Sequence, residues 1–427
     1  MGILMSALGS NASPAFSPLT GFKKFTLDNK LTVYAKEEHK LPVGTIQLWI
    51  RAGSLDENDK NNGVSHFLEH MMFKGTKKYG VSEISRMIES NGGVTNAGTS
   101  KEFTEYYIDI PMQGFETAMD IIAEIAQNAT FPAEEVDRER MVILEEIKRG
   151  EDNPQNVLFE NFNKQLFTET NYKYRVIGTS ESVTNMKRED IIDYYKKRYI
   201  PENMTLVVAG DFKFEQIKKL IAEKFSYLSG GGIPTNRTYL IEPVSQAGEV
   251  KQGKPVQLSY ILCGFLGPEL DSDRQFSGDL LSTILGGGMS SRLYQKLREQ
   301  KQIVYGISSG FYSQQGPGIF YISAVCAPDK VDITLKEINN ELSDILSKGV
   351  TEGELERAKE IISSHWFFDQ ETVHQLANVV GYWNTLDKLD IVEQYYKKVM
   401  SVSNEDVKQF LQMHYTGLTV SIINPEK

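Results

Sequence analysis

Near the middle of this 427-residue chain, Ser229-Gly230-Gly231-Gly232-Ile233-Pro234-Thr235-Asn236 separates two long periodic stretches. The order of elements before it recurs after it. Three consecutive glycines and a proline hold neither a helix nor a strand, so the stretch reads as a flexible linker. Beyond it, Lys254 to Tyr260 matches Leu41 to Leu48 as a strand, and Val331 to Leu346 resembles Phe115 to Gln127 as a long helix. Thr351 to Asp369 echoes Ala133 to Arg149, and His414 to Asn424 parallels Tyr199 to Gly210. This internal repeat constrains the fold strongly, because each half must be able to form the same unit. Alternating runs mixed with helical runs set the class as α+β. Two homologous domains, each a mainly antiparallel sheet packed with helices, are expected to form a clamshell. The expected boundaries are an N-terminal extension at 1–21, a first domain at 22–228, the linker at 229–240 and a second domain at 241–427.

The halves differ in one place. Where the second half has Phe276 to Leu285, without histidine, the first has Gly63-Val64-Ser65-His66-Phe67-Leu68-Glu69-His70-Met71-Met72-Phe73. His-x-x-Glu-His is the inverzincin order. On a helix, His66, Glu69 and His70 share an arc of about 100°, with Val64, Phe67, Leu68, Met71 and Met72 centred opposite. A lone histidine in an apolar helix is usually a core residue; here both imidazoles face away from the packing side. Two histidines at i and i+4 suit one Zn²⁺, and Glu69 between them is placed to move a proton without ligating.

A third ligand is needed, and in hydrolytic zinc sites it is commonly a carboxylate. The helical run Ala133 to Arg149 offers several. Glu145 lies opposite the apolar residues Val136, Ile143 and Ile147 and is expected in solvent. Glu139 and Glu146, seven apart, share a flank about 70–90° from the apolar centre, from which a packed helix still reaches inward. Geometry leaves either as the ligand.

The motif, followed 76 residues later (146 − 70) by Glu146 within Glu139-Arg140-Met141-Val142-Ile143-Leu144-Glu145-Glu146, resembles the M16 (pitrilysin-type) metallopeptidases. The likeness is strongest to the two-domain branch of bacterial processing proteases and the mitochondrial processing peptidase beta subunit, and runs from about Phe22 to the C-terminus. It implies one Zn²⁺ per chain held by His66, His70 and Glu146, with Glu69 as general base and Glu139 supporting the site from behind the ligands. It also implies that Gly92 to Thr104 is a substrate strand, pairing with an extended peptide about Asn96 and Ala97. Arg298 and Tyr305, seven apart, would hold substrate carbonyls and steady the oxyanion from the second half. Lys30 departs from the family, in which Gly is common after Asp-Asn. The Gly286-Gly287-Gly288 run is not a phosphate loop, since no Gly-Lys-Ser/Thr follows.

Composition narrows the partners. A net charge of −11 disfavours nucleic acid and anionic membranes. No run of 18 apolar residues spans a membrane, and Cys263 and Cys326 alone form no disulfide framework. The first 20 residues lack the pattern of a signal peptide or presequence. The expectation is a soluble zinc endopeptidase of the bacterial cytoplasm, with periplasm or export as the alternative. It would cut short or unfolded peptides, hinging about the linker, as a homodimer or beside a related chain. The rival is a non-catalytic or partner-dependent subunit of the same fold.

Overall fold

The computed structural model describes residues 17–230, 232, 234–237 and 247–426. Most of the expected N-terminal extension and much of the expected linker therefore lie outside the described residues. The first sheet comprises β1 (Phe22–Thr26), β2 (Thr32–Glu37), β3 (Val43–Ile50), β4 (Val94–Thr99), β5 (Thr104–Pro111) and β6 (Met204–Gly210), in the order β1-β2-β6-β3-β5-β4. The second comprises β7 (Glu249–Lys254), β8 (Ser259–Leu266), β9 (Gly306–Tyr312), β10 (Ile319–Cys326) and β11 (Thr419–Pro425), in the order β7-β11-β8-β10-β9. Apart from β1 the two orders superimpose element for element. Each sheet has one parallel pair, β2 with β6 and β7 with β11, in the corresponding place.

Each sheet packs one face on helices of its own half. Ile46, Leu48 and Ile50 alternate into the first core, beneath Phe67, Leu68, Met71 and Met72 of the helix Val64–Met72. The intervening residues Thr45, Gln47 and Trp49 are just as buried, which a two-layer half would not explain. The helix Val373–Thr385 of the second half covers them, packing Ala377 and Val380 with Tyr34, Trp49 and Val207. The exchange is reciprocal. Val157, Leu158, Phe162 and Leu166 of the first half's helix Pro154–Leu166 cover Leu262, Ile319 and Ile423 of the second sheet. Each such apolar side chain contributes about 1.5–3 kcal/mol relative to exposure. Polar contacts tie the first crossing in place: Gln47 Nε2 donates to the His374 carbonyl (3.0 Å), Arg51 Nε to that of Thr385 (2.7 Å) and Tyr34 to Asn384 (2.9 Å). Gly381 lies against the Trp49 indole, where a Cβ would collide with the ring.

This exchange corrects the hinging expectation. Parting the halves about the linker alone would strip both crossing helices from their sheets. The described part of the linker is also not free. Thr235 N–H donates to Asn203 Oδ1 (2.6 Å), and Arg237 pairs with the buried Asp56 (2.6 Å).

Four local features are set by the surroundings of the chain. Ser82 does not cap the helix Glu83–Ser90: it has φ 66° and makes no capping bond, and the Glu83 carboxylate accepts from Gly80 N–H instead. Residues 180–198 form two helices, Ser180–Asn185 and Arg188–Arg198. The triple glycine at 286–288 ends the helix Gln275–Gly286, and a π-helix, Tyr294–Gln300, follows. Lys30 adopts φ 76°, the left-handed turn conformation that Gly would take more cheaply.

The helix Gln275–Gly286 stands where the first half places its histidine helix and carries an enclosed acid. Burial pushes the Asp279 carboxyl up to about 7, opposed by the hydrogen bond that Tyr395 O–H donates to it. A raised folded pKa means that the folded state holds this proton more tightly than the unfolded chain does. Its stabilisation is complete below about pH 4 and is lost as pH rises to about 7. Urea unfolding should therefore show the stability of the native chain falling relative to Asp279→Asn by up to about 4 kcal/mol between pH 4 and 8. A pH-independent difference would contradict this account.

Candidate metal centre

The helix Val64–Met72 is fixed at its start by an acid that the sequence reading passed over. The buried Glu57 carboxylate accepts from Gly63 N–H (2.7 Å), Ser65 N–H (2.9 Å) and Asn62 Nδ2 (2.9 Å). These donors would otherwise be orphaned at a helix N-terminus, and a negative charge there is favoured by the helix dipole. Burial pushes the Glu57 carboxyl up and the four hydrogen bonds that it receives draw it back. The apolar face then packs into the core and leaves His66, Glu69 and His70 on the opposite side.

The helix Ala133–Asp152 crosses beside it and supplies the third donor. His66 Nε2 lies 3.9 Å and His70 Nε2 3.7 Å from Glu146 Oε2. The three donors lie within 4.8 Å of one another. These separations exceed a hydrogen bond. They approach the edges, about 3.4 Å, of a tetrahedron with metal bonds of about 2.0–2.1 Å. Two imidazole nitrogens and one carboxylate oxygen therefore fit a zinc ion. Burial, reinforced by His70, lowers the His66 pKa to about 3, so its ring is neutral with a lone pair available for a metal.

Glu139, which helix geometry left open as a ligand and the family resemblance placed behind the ligands, is turned away from the metal group. Its Oε2 lies 3.2 Å from His70 Nδ1, and its Oε1 pairs with Lys74 Nζ at 2.6 Å. A carboxylate on the far nitrogen orients a ligating histidine and fixes its tautomer. His66 Nδ1 is buried without such a partner among the described residues. Lys74, just past the end of the helix Val64–Met72, was not singled out from the sequence.

Glu69 is not among the three gathered donors. Thr99 Oγ1 donates to its Oε2 at 2.5 Å, while burial pushes the carboxyl up. Thr99 ends β4, the outermost strand of the first sheet, so one side of β4 is unpaired. Thr95, Asn96 and Ala97 line a cavity of about 450 Å³ with Glu69, His70 and Glu139. Thr99 lines a second, of about 320 Å³, with His66, Lys101, Phe159 and Ile177. The metal group stands between the two cavities.

Neither Arg298 nor Tyr305 lines either cavity. Arg298 lies on the π-helix, a geometry common at functional sites, and Tyr305 is 59% exposed at the start of β9. The loop after β9 meets the first half, where Gln315 N–H donates to Glu102 (2.9 Å) and Gly316 N–H to Tyr172 (2.8 Å). Tyr305 stands at the other end of that strand, about 23 Å away.

A two-domain α+β fold thus places a His-His-Glu group suited to a metal beside an open sheet edge. Residues 32–180 match the family model described as insulinase, peptidase family M16, and residues 185–362 match that of the M16 inactive domain. A Rickettsia felis protein named as an uncharacterized zinc protease is 30% identical over 93% of this chain and 96% of its own length. A Bacillus subtilis protein with the same description is 29% identical over 86% and 90%. A protease from Helicobacter pylori shares the fold with a TM-score of 0.89 at 24% identity, covering 95% of this chain and 99% of its own. A Pseudomonas fluorescens structure described as a peptidase M16 inactive domain does so at 0.86 and 21%, covering 95% and 98%. The chain belongs to the M16 peptidase family.

Glu139→Gln should weaken zinc binding about 10- to 100-fold in chelator competition, since His70 would lose its charged support. An unchanged affinity would show that Glu139 does not steady the ligand.

Proposed function

We propose that this protein is a zinc-dependent endopeptidase acting on short or unfolded peptides. The observation that carries the reading is the metal group of His66, His70 and Glu146 beside the free edge of β4, with Glu69 left outside the ligand set. An extended peptide pairs with β4 through main-chain hydrogen bonds about Asn96 and Ala97, with side chains entering the flanking cavities. A folded protein offers no free strand to that edge, which favours short or unfolded substrates. Zinc, when bound, supplies a Lewis acid that polarises a carbonyl and lowers the pKa of water. Glu69 takes the proton from the attacking water and returns it to the leaving amine, and Thr99 keeps its carboxylate aimed. Glu139 and Lys74 hold the His70 ring against rotation.

The decisive test uses two variants. Glu69→Gln should retain zinc while lowering peptide cleavage by at least about 10³-fold, and Glu146→Ala should lose zinc. If Glu69→Gln cleaves as the native chain does, the reading fails and a binding subunit of the same fold takes its place.

Among the described residues no helix is long and apolar enough to cross a membrane. Arg298 and Tyr305 stand at the far end of β9 from the junction of the halves, and this favours their acting across a homodimer on a peptide held by the other copy. Mixing Glu69→Gln with Arg298→Ala subunits, each inactive alone, should then restore activity by pairing an intact zinc half with an intact Arg298. If mixing restores nothing, the pair does not act in trans.

A further inference from the structure

One acid beside the site is used by none of the steps above. Glu105 lies on β5 and pairs with Gly98 of β4, so both face the same side of the sheet. Gly98 has no side chain to cover it. A Cβ there would stand 3.5 Å from Glu105 Oε1, which places the carboxylate over Gly98, toward the open edge. The next residue, Thr99, is bonded to Glu69, so this spot adjoins the reacting groups.

Glu105 makes no hydrogen bond or ion pair among the described residues. His374, which favours its charged form when protonated, is turned to Asp109, with Nδ1 2.9 Å from Oδ2. Its other charged neighbour, Glu69, has the same sign. Burial, reinforced by Glu69 and opposed by His374, pushes the Glu105 carboxyl up to about 7. A half-buried acid held under these conditions lacks a cationic partner.

We infer that Glu105 selects peptides with lysine or arginine at the position that pairs with Gly98, next to the bond that is cut. The inference rests on the pairing of peptide with β4 proposed above. A residue opposite Gly98 on an added strand projects to the same face as Glu105. The two backbones are about 10 Å apart, two strand spacings, with only Gly98 between them. That gap is within the joint reach of a glutamate and a long basic side chain. Alanine or serine leaves the carboxylate unpartnered, and aspartate or glutamate repels it.

Positional-scanning peptides tested with the zinc-loaded enzyme should show one position near the cut at which Lys or Arg exceeds Ala by roughly tenfold in kcat/KM. Glu105→Gln should bring that ratio close to one, and Glu105→Lys should invert it toward Asp and Glu. Gly98→Val fills the gap without changing the charge and should also lower the ratio. A Lys/Arg preference equal in the native and Glu105→Lys enzymes, or absent from the native one, overturns the inference. The same peptides titrated by fluorescence anisotropy against a Glu69→Gln background separate selection from hydrolysis. A basic preference that Glu105→Lys abolishes there upholds the role of Glu105 even if no form cleaves, which would overturn the peptidase reading alone. Failure of all peptides to bind overturns both.

Discussion

Each sheet has two apolar faces, and one half of the chain has helices enough to cover only one of them. The helix Val373–Thr385 crosses to the first sheet and Pro154–Leu166 to the second, so neither half is complete without the other. Trp49 depends on this arrangement: a large indole on an outer sheet face is fully buried only because Gly381 lets the crossing helix approach it. The first sheet is thereby held rigid from both sides, while the outer edge of β4 stays open beside the histidine helix. A rigid sheet with a free edge there suits a peptide that must be held in register beside a metal.

The metal centre inherits that rigidity. His66 and His70 stand on a helix whose apolar face is in the core and whose first turn is bonded to Glu57. Glu146 comes from a second helix packed against the first, and Glu139 on that helix grips His70 from behind. Two acids seven residues apart thus have distinct surroundings. Glu146 is half open toward the imidazoles, whereas Glu139 is buried between His70 and Lys74. The second half has kept the scaffold and not the ligands: its corresponding helix presents Asp279 to Tyr395.

Much of this was legible in the residues. The repeated order of elements foretold two sheets of matching topology, and the periodicity of Val64 to Met72 foretold that His66, Glu69 and His70 stand opposite the packed face of one helix. Where the reading went astray, the deciding force was not local. Ser82 has the right residue type for a cap, but the turn from Gly80 holds it left-handed and gives the capping bond to Glu83. The glycine-rich linker reads as free chain, yet Thr235 and Arg237 are pinned by Asn203 and Asp56, residues far away in sequence.

By itself, then, the sequence determined what short-range periodicity can encode: the class of fold, its duplication, and which residues of one helix stand away from the core. Spacing along a helix sets angles about its own axis and nothing across to a neighbour. Spacing left Glu139 and Glu146 equal, and the crossing of two helices decided that Glu146 meets the histidines while Glu139 backs His70. Tertiary structure alone exchanged the covering helices between halves, because a strand's pattern cannot name what will bury its second face. It alone set Glu105 over the gap at Gly98, since strand register joins residues that the linear order keeps apart.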